Sequence, residues 1–528
     1  MKLFYKQTWA SIYIAMRKIA HSFLFIFPRV FKNIFLGKAP MKRTDYFGKT
    51  VLFPLLETFH YQTYHILILA KFMELRGAKV YILVCDSALS GCEIRSIKND
   101  SGKITCAGCR FSQSTILPLF KLNTLKLSSL LSEQPIDQER SSDDIGNCLN
   151  DSVIRYYFGS VPSGALEEGR VVTSHKKTAK DMAWVARLVD KKLQPDVVIS
   201  NMTSYSMWEP LFRYFNKNGN RYKTISMSQY DFEKITVNQF ELFTSSKRFK
   251  SYFENRPRKE LSESENAELQ KFLSERVKGK TPIFKELNYF EENKSFKRAN
   301  LGFDRTKKNI FLFTNIYWDV GLSENALLFS GVIDWVLETI KIASHLENTD
   351  IYIKLHPGEV FDSQKSLKSL DEIAIEHCTT LPSNVKFIRP EEKISPYSLV
   401  EKMDLAVVFT GTLALELMHL GVPVVTVGRT SHFGLGLCSE PGSIEQYADI
   451  LSGLKKPIAT EKSQLDVFTY FYFIKSKYPW TISKKAYADK NLDINFRSLN
   501  QLLAINEKYF VNLCDFLIEH NNIKIDNW

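Results

Sequence analysis

Residues 404–429 read DLAVVFTGTLALELMHLGVPVVTVGR. An apolar run reaches Thr410, a Gly-Thr pair interrupts it, and a second apolar stretch continues to Leu420. Gly421-Val422-Pro423 then turns the chain into Val424–Val427. A short continuous apolar run bounded by turn residues reads as a strand buried on both faces, and strand, helix and strand in this order form the unit of a parallel sheet.

The same alternation repeats outward from this stretch. NIFLFT (309–314) and DIYIKL (350–355) read as strands, with a long helix expected over Glu324–Leu346 between them. VKFI (385–388) is a further short strand. Residues 306–455 are therefore expected to form a doubly wound, Rossmann-like domain. The theme also occurs earlier. KTVLFP (49–54), a helix over about His60–Arg76 and AKVYILV (78–84) make one strand–helix–strand unit; DVVIS (196–200), Tyr205–Asn216 and YKTIS (222–226) make another. Residues 45–254 are read as a second Rossmann-like domain, 255–305 as a charged helical connector, and 456–528 as an aromatic helical segment carrying FTYFYF at 468–473. The fold class is α/β, and ligands of such folds bind outside the carboxyl ends of the strands.

With 528 residues, 44% hydrophobic and 24% charged, and only 18 Pro and 23 Gly, the chain is neither disordered nor of low complexity. Eight Cys make no disulfide scaffold and fit a reducing compartment. The net charge of +12 is unevenly spread. Nine Lys or Arg precede the first acidic residue, Asp45, so the rest of the chain is nearly balanced, and a nucleic-acid partner is not expected. Segment 1–44 combines that charge with Trp9, Ile12, Tyr13, Met16, Ile19 and Phe23 at helical spacing. This is the pattern of a basic amphipathic helix on an anionic bilayer surface, with packing on its own domain or a targeting peptide as the other readings. The longest uncharged apolar run, residues 19–28, is too short to span a bilayer. The expected location is the cytoplasm, peripheral on the inner membrane.

Three features lie just past expected strand ends: His356-Pro357-Gly358-Glu359, Gly411-Thr412 with Glu416 one turn on, and Gly428-Arg429-Thr430. The backbone at Gly411-Thr412 suits a phosphate. Glu416 can accept ribose hydroxyls, and a cationic His356 would stabilise a departing phosphate, with Lys354 and Arg429 adding charge. Singly, each also reads as a turn or a solvated side chain. Cys85, Cys92, Cys106 and Cys109 are spaced C-x6-C-x13-C-x2-C in an expected surface loop. A structural zinc ion, unligated thiols, and an iron–sulfur or redox role are the readings of that cluster.

In order and spacing, IKLHPGE followed by NVKFIRPEEKISPYSLVEKMDLAVVFTGTLALELMHLGVPVVTVGR resembles the C-terminal domain of bacterial capsule polysaccharide biosynthesis proteins. These are glycosyltransferases of the two-domain GT-B kind, among them the Kdo transferases of capsule linkers. The match spans about residues 305–450. The resemblance implies that His356, Thr412 and Glu416 face a nucleotide-sugar donor, with a CMP-activated acidic sugar as one donor, and that the acceptor is a polysaccharide or a lipid-linked glycan. It implies no cofactor required for catalysis, and no Asp-x-Asp metal motif is evident at a strand end. The acceptor hydroxyl needs a base from the first half, where Glu57, His60 and Asp86 follow early strands, with Glu57 favoured; each also reads as a helix cap or a solvated group. The alternatives are a CDP-polyol phosphotransferase of teichoic-acid type, a nucleotide-sugar 2-epimerase and a non-catalytic assembly protein.

Overall fold

The computed structural model describes residues 46–58, 62–95, 102–133, 148–161, 169–219, 221–224, 226–227, 234–238, 260–277, 303–319, 325–361, 365–378, 380–475 and 477–481, together with Cys514, Leu517 and Ile518. The basic segment 1–44 and His60 lie outside these residues. The chain divides into two compact units: residues 1–157, 161–237 and 478–528 form the first, and 158–160 with 238–477 form the second.

The first unit is built on β1 (Thr50–Leu55), α1 (Gln62–Leu75), β2 (Lys79–Val84), α2 (Gly102–Phe120), β3 (Asn123–Lys126), α3 (Leu127–Leu131), α4 (Cys148–Tyr156), α5 (Arg170–Leu193), β4 (Val197–Ser200), α6 (Tyr205–Lys217) and β5 (Tyr222–Thr224). Its five strands are parallel in the order β3-β2-β1-β4-β5. β1 lies at the centre because TVLFPL offers apolar groups to both faces; Val51, Leu52 and Phe53 are fully buried. Asp196 fixes the start of β1 by accepting from the Thr50 N–H at 2.8 Å. Ile66–Ala70 of α1 cover one face of the sheet, and Cys514, Leu517 and Ile518, far along the chain, complete the same core.

Two elements here differ from the sequence reading. The stretch expected to be a loop after β2 contains the 19-residue α2, and β3 is an edge strand whose NTLK is largely exposed. Neither carries an apolar period strong enough to be read from the chain alone.

A buried polar knot holds the loop after β2 against the helices. Glu93 Oε1 accepts from the hydroxyls of Ser152 on α4 (2.8 Å) and Ser206 on α6 (2.9 Å), and His175 Nδ1 on α5 lies 2.8 Å from Ser206 Oγ. Satisfying each member in this way is what makes burial of a carboxylate tolerable. Burial also lowers the affinity of His175 for a proton.

β6 (Ser226–Met227) and β7 (Lys234–Asn238) are antiparallel and belong to a small three-stranded sheet, completed by β13 described below.

The second unit contains α7 (Glu263–Val277), β8 (Lys308–Phe313), α8 (Val332–Ala343), β9 (Thr349–Lys354), α9 (Leu370–His377), β10 (Val385–Ile388), β11 (Leu405–Val408), α10 (Leu413–His419), β12 (Val424–Thr426), α11 (Ile444–Ser452) and α12 (Lys462–Tyr470). β13 (Lys477–Thr481) starts at its last residue. The sheet is again five-stranded and parallel, in the order β10-β9-β8-β11-β12. Two parallel five-stranded sheets wrapped by helices bear out the expected α/β class with two Rossmann-like domains. The helix expected over 324–346 is shorter. It begins only after Gly331, and Asp334 in its first turn accepts from both the N–H (2.9 Å) and the hydroxyl (3.0 Å) of Ser330, just before the helix.

Phe158, Gly159 and Ser160 are separated in sequence from the rest of the second unit but belong to it. The Phe158 ring meets Trp318 edge to face at 4.9 Å, and the Leu367 N–H donates to the Phe158 carbonyl at 3.3 Å. Among the described residues no helix is long and apolar enough to cross a membrane.

Candidate functional site

The described chemistry concentrates where β9, β11 and β12 end. β9 is buried at all six positions, so its last residue, Lys354, is carried into the interior with only 2% of its surface exposed. Its ammonium group makes no hydrogen bond among the described residues. Burial lowers its pKa to about 8, against the opposing attraction of Glu392.

Two residues on, His356 turns the chain. Its Nδ1 accepts the Gly358 N–H at 3.0 Å, so the ring proton of the neutral form sits on Nε2, and Pro357 opens a tight 3-10 turn over Pro357–Val360. Burial, helped by the neighbouring Lys354 charge, lowers its pKa to about 4. The expected cationic His356 is corrected: at neutral pH the ring is an uncharged donor through Nε2–H, and Lys354 carries the positive charge. Glu359, 4% exposed, has its pKa raised by burial to about 7 despite hydrogen bonds to Ser366. Ser366 is itself fixed by the Trp318 indole N–H at 3.0 Å.

At the end of β11, Gly411 adopts a φ of +126°, a conformation that disfavours any side chain, and it directs the chain into the seven-residue α10. Glu416 on that helix is 2% exposed. Its Oε1 lies 2.6 Å from Nε and Nη2 of Arg276, and its Oε2 accepts from the Tyr397 hydroxyl. Arg276 Nη2 also donates to Thr412 Oγ1 at 3.3 Å. The guanidinium group lies 5.7 Å and 5.3 Å from the ring centres of Phe272 and Phe473. Burial and the adjacent Glu416 raise the pKa of Tyr397, so its hydroxyl keeps its proton.

At the end of β12 the backbone is drawn tight. The Gly428 N–H donates to the Phe409 carbonyl (2.9 Å), and a Cβ on Gly428 would lie 2.7 Å from that oxygen, which reserves the position for glycine. The Arg429 N–H donates to the Asn325 carbonyl at 2.7 Å, and its own carbonyl accepts from Thr410 Oγ1 at 3.2 Å.

The expected donor-side residues thus fall into two clusters, Lys354–Glu359 and Thr412–Glu416, at the carboxyl ends of strands flanking β8, with Arg429 at the next strand end. Sequence reasoning missed Arg276 and Tyr397. Arg276 is 140 positions from Glu416 inside a run of charges, and its only sequence signal is Phe272 one turn before it.

In the first unit, Glu57 lies two residues past β1, half-buried, close enough to Cys109 to raise that thiol's pKa. Asp86 accepts from the Ser128 N–H (3.0 Å) and from the Ser128 hydroxyl, so it anchors the start of α3. The four cysteines are free thiols. Cys106 and Cys109 lie on the continuous helix α2. Burial raises the pKa of Cys92 to about 12 and of Cys109 to about 11. Among the described residues no three His, Cys, Asp or Glu side chains gather in a geometry that could hold an ion.

No protein-family model matches the chain, and no curated protein matches it. Several solved structures are similar in fold. A KpsC β-Kdo 2,4-transferase from Thermosulfurimonas dismutans is 13% identical, with a TM-score of 0.37, covering 58% of this chain and 87% of its own. A UDP-GlcNAc 2-epimerase from Neisseria meningitidis, bound to UDP-GlcNAc, is 12% identical with a TM-score of 0.20, covering 88% and 99%. The calicheamicin glycosyltransferase CalG4 is 12% identical with a TM-score of 0.27, covering 90% and 100%. Likeness this slight leaves the functional reading to the site's own residues.

Proposed function

We propose that this chain is a glycosyltransferase that moves a sugar from a nucleotide-activated donor to a surface polysaccharide or lipid-linked acceptor. The observation that carries the reading is Lys354, a buried ammonium group without a hydrogen-bond partner among the described residues, at the carboxyl end of β9 and beside a neutral His356 whose proton sits on Nε2. Such a charge is costly unless an anion completes it, and a donor phosphate is that anion. In the reaction, Lys354 offsets the charge that develops on the departing phosphate, His356 donates to a phosphoryl oxygen, and Glu416 receives the ribose hydroxyls. Glu57 takes the proton from the acceptor hydroxyl. The capsular setting, a CMP-activated acidic donor and peripheral contact with the inner membrane through segment 1–44 belong to the same proposal.

The test is a thermal-shift titration with CMP, CDP, UDP, GDP and ADP on wild type and His356→Ala. A bound nucleotide at about 100 times its Kd stabilises by roughly 2.7 kcal/mol. The expected result is a shift with one nucleotide that the substitution abolishes. Absence of a shift with all five overturns the reading.

A further inference from the structure

We propose that Arg276, on the last turn of α7, is a donor-binding residue that contacts the phosphate of the nucleotide. This deepens the reading just given and rests on it. Glu416 is an almost fully buried carboxylate, and a donor that placed its ribose on Glu416 would bring its phosphate close to that negative charge. A like charge so near a phosphate opposes binding unless a cation lies between them. Arg276 is a cation beside that charge: through Nε and Nη2 it pairs with Glu416, and through Nη2 it reaches Thr412 Oγ1, at the N-cap of the helix that carries Glu416.

The geometry of the guanidinium group adds the second part. Its Nε and Nη2 edge faces Glu416 and Thr412, so the Nη1 edge, with two further N–H bonds, points the other way. A phosphate oxygen engaged by that edge makes the planar, charge-assisted contact for which Arg is suited. The orientation is prepared in advance. Phe272 and Phe473 lie within 6 Å of the guanidinium group, and α7 is tied to α12 by the Tyr470 hydroxyl, which donates to Glu268 at 2.8 Å. The Tyr397 hydroxyl holds the other oxygen of Glu416, so the carboxylate cannot turn away from Arg276. The connector helix is in this way a part of the donor site.

The test measures binding by calorimetry for the full chain, using the nucleotide that stabilises wild type and its nucleoside, on wild type, Arg276→Gln, Arg276→Lys and the Arg276→Gln/Glu416→Gln pair. Circular dichroism and melting confirm that each is folded; the pair removes the buried charge that Arg276→Gln alone would strand on Glu416. The expected result is a loss of at least tenfold in nucleotide affinity in Arg276→Gln and in the pair, a smaller loss in Arg276→Lys, and nucleoside affinity within threefold of wild type in Arg276→Gln. Nucleotide affinity within twofold of wild type in Arg276→Gln overturns the proposal. Equal losses for nucleotide and nucleoside also overturn it, because Arg276 then serves only to orient Glu416. If wild type binds no nucleotide while Arg276→Gln melts normally, the donor-site reading itself fails and this assignment fails with it.

Discussion

Lys354 carries the clearest conflict between stability and use. Burial lowers its pKa to about 8 from an ordinary 10.5, the sign of an ammonium group kept inside at a cost, with no hydrogen-bond partner among the described residues. Replacing it by Met removes the charge and keeps the length and apolar stem. Lys354→Met is therefore expected to stabilise the chain by about 1–3 kcal/mol and to abolish nucleotide binding. Denaturant midpoints and a nucleotide titration check the two effects; a destabilised variant that still binds would contradict both. Glu57 poses a different question, since it lies near α2 at the end of β1 in the other unit. Glu57→Gln should end turnover while leaving nucleotide affinity unchanged, and steady-state transfer assays beside binding titrations decide it. The histidines are better described together. His356, His419 and His432 have pKa values lowered by burial to about 4, 4 and 3. In the unfolded chain each ring takes up a proton near pH 6.5, and in the folded chain none does so until well below that. Stability contributed by these rings is complete above pH 6.5 and is lost as pH falls toward 4, by up to about 1.4 kcal/mol per pH unit for each ring. Glu359, with a pKa raised to about 7, opposes this, and so does Asp466, whose pKa burial also raises. Three groups outweigh two, so urea midpoints at pH 5 should lie clearly below those at pH 7. Equal midpoints would refute the expected neutrality of these rings.

At the level of elements, legibility followed burial. β8, β9 and β11 could be read within a residue or two because strands covered on both faces are written almost wholly in apolar letters. The turn residues between them, Gly411 and Gly421 above all, marked the helix limits. By the same logic β3 could not be read: an edge strand needs no apolar face, and NTLK has none. α2 was hidden because its Cys, Ser, Thr and Gly mixture, with Pro118 inside, has low helix propensity and is held in place by packing and by hydrogen bonds such as Ser112 Oγ to the Thr58 carbonyl at 2.6 Å. The cysteines were read as lying in a loop, whereas Cys106 and Cys109 lie one turn apart on α2. Protein purified without chelator is expected to carry less than about 0.2 equivalents of zinc. A full equivalent that is lost together with α2 structure on chelation would restore the metal reading. The site was legible to the extent that it lies on strand ends. Arg276 was not, because an ion pair across 140 residues leaves no local pattern.

For the whole molecule, the chain does not run through one unit and then the other. It passes between them at 157/158, 160/161, 237/238 and 477/478. The closing part of the chain supplies Cys514, Leu517 and Ile518 to the core around β1, each at most 1% exposed. Leu517→Ala should cost about 2–5 kcal/mol, and removal of residues 478–528 should leave the first unit unable to fold. Differential scanning calorimetry and solubility measure both; a truncated chain that melts like the parent would show that this packing is dispensable. The short detour at 158–160 has a practical consequence for anyone recombining this protein. A Cβ on Gly159 would fall 2.1 Å from the Tyr317 ring, so that glycine is matched to Tyr317, while the chain on either side of 158–160 belongs to the first unit. A hybrid that joins the first 237 residues of a relative to the remainder of this chain inherits the wrong partner for Tyr317 and Trp318. Grafting residues 158–160 back into such a hybrid is the smallest repair, and it treats three residues as belonging to a gene segment in which they are not encoded.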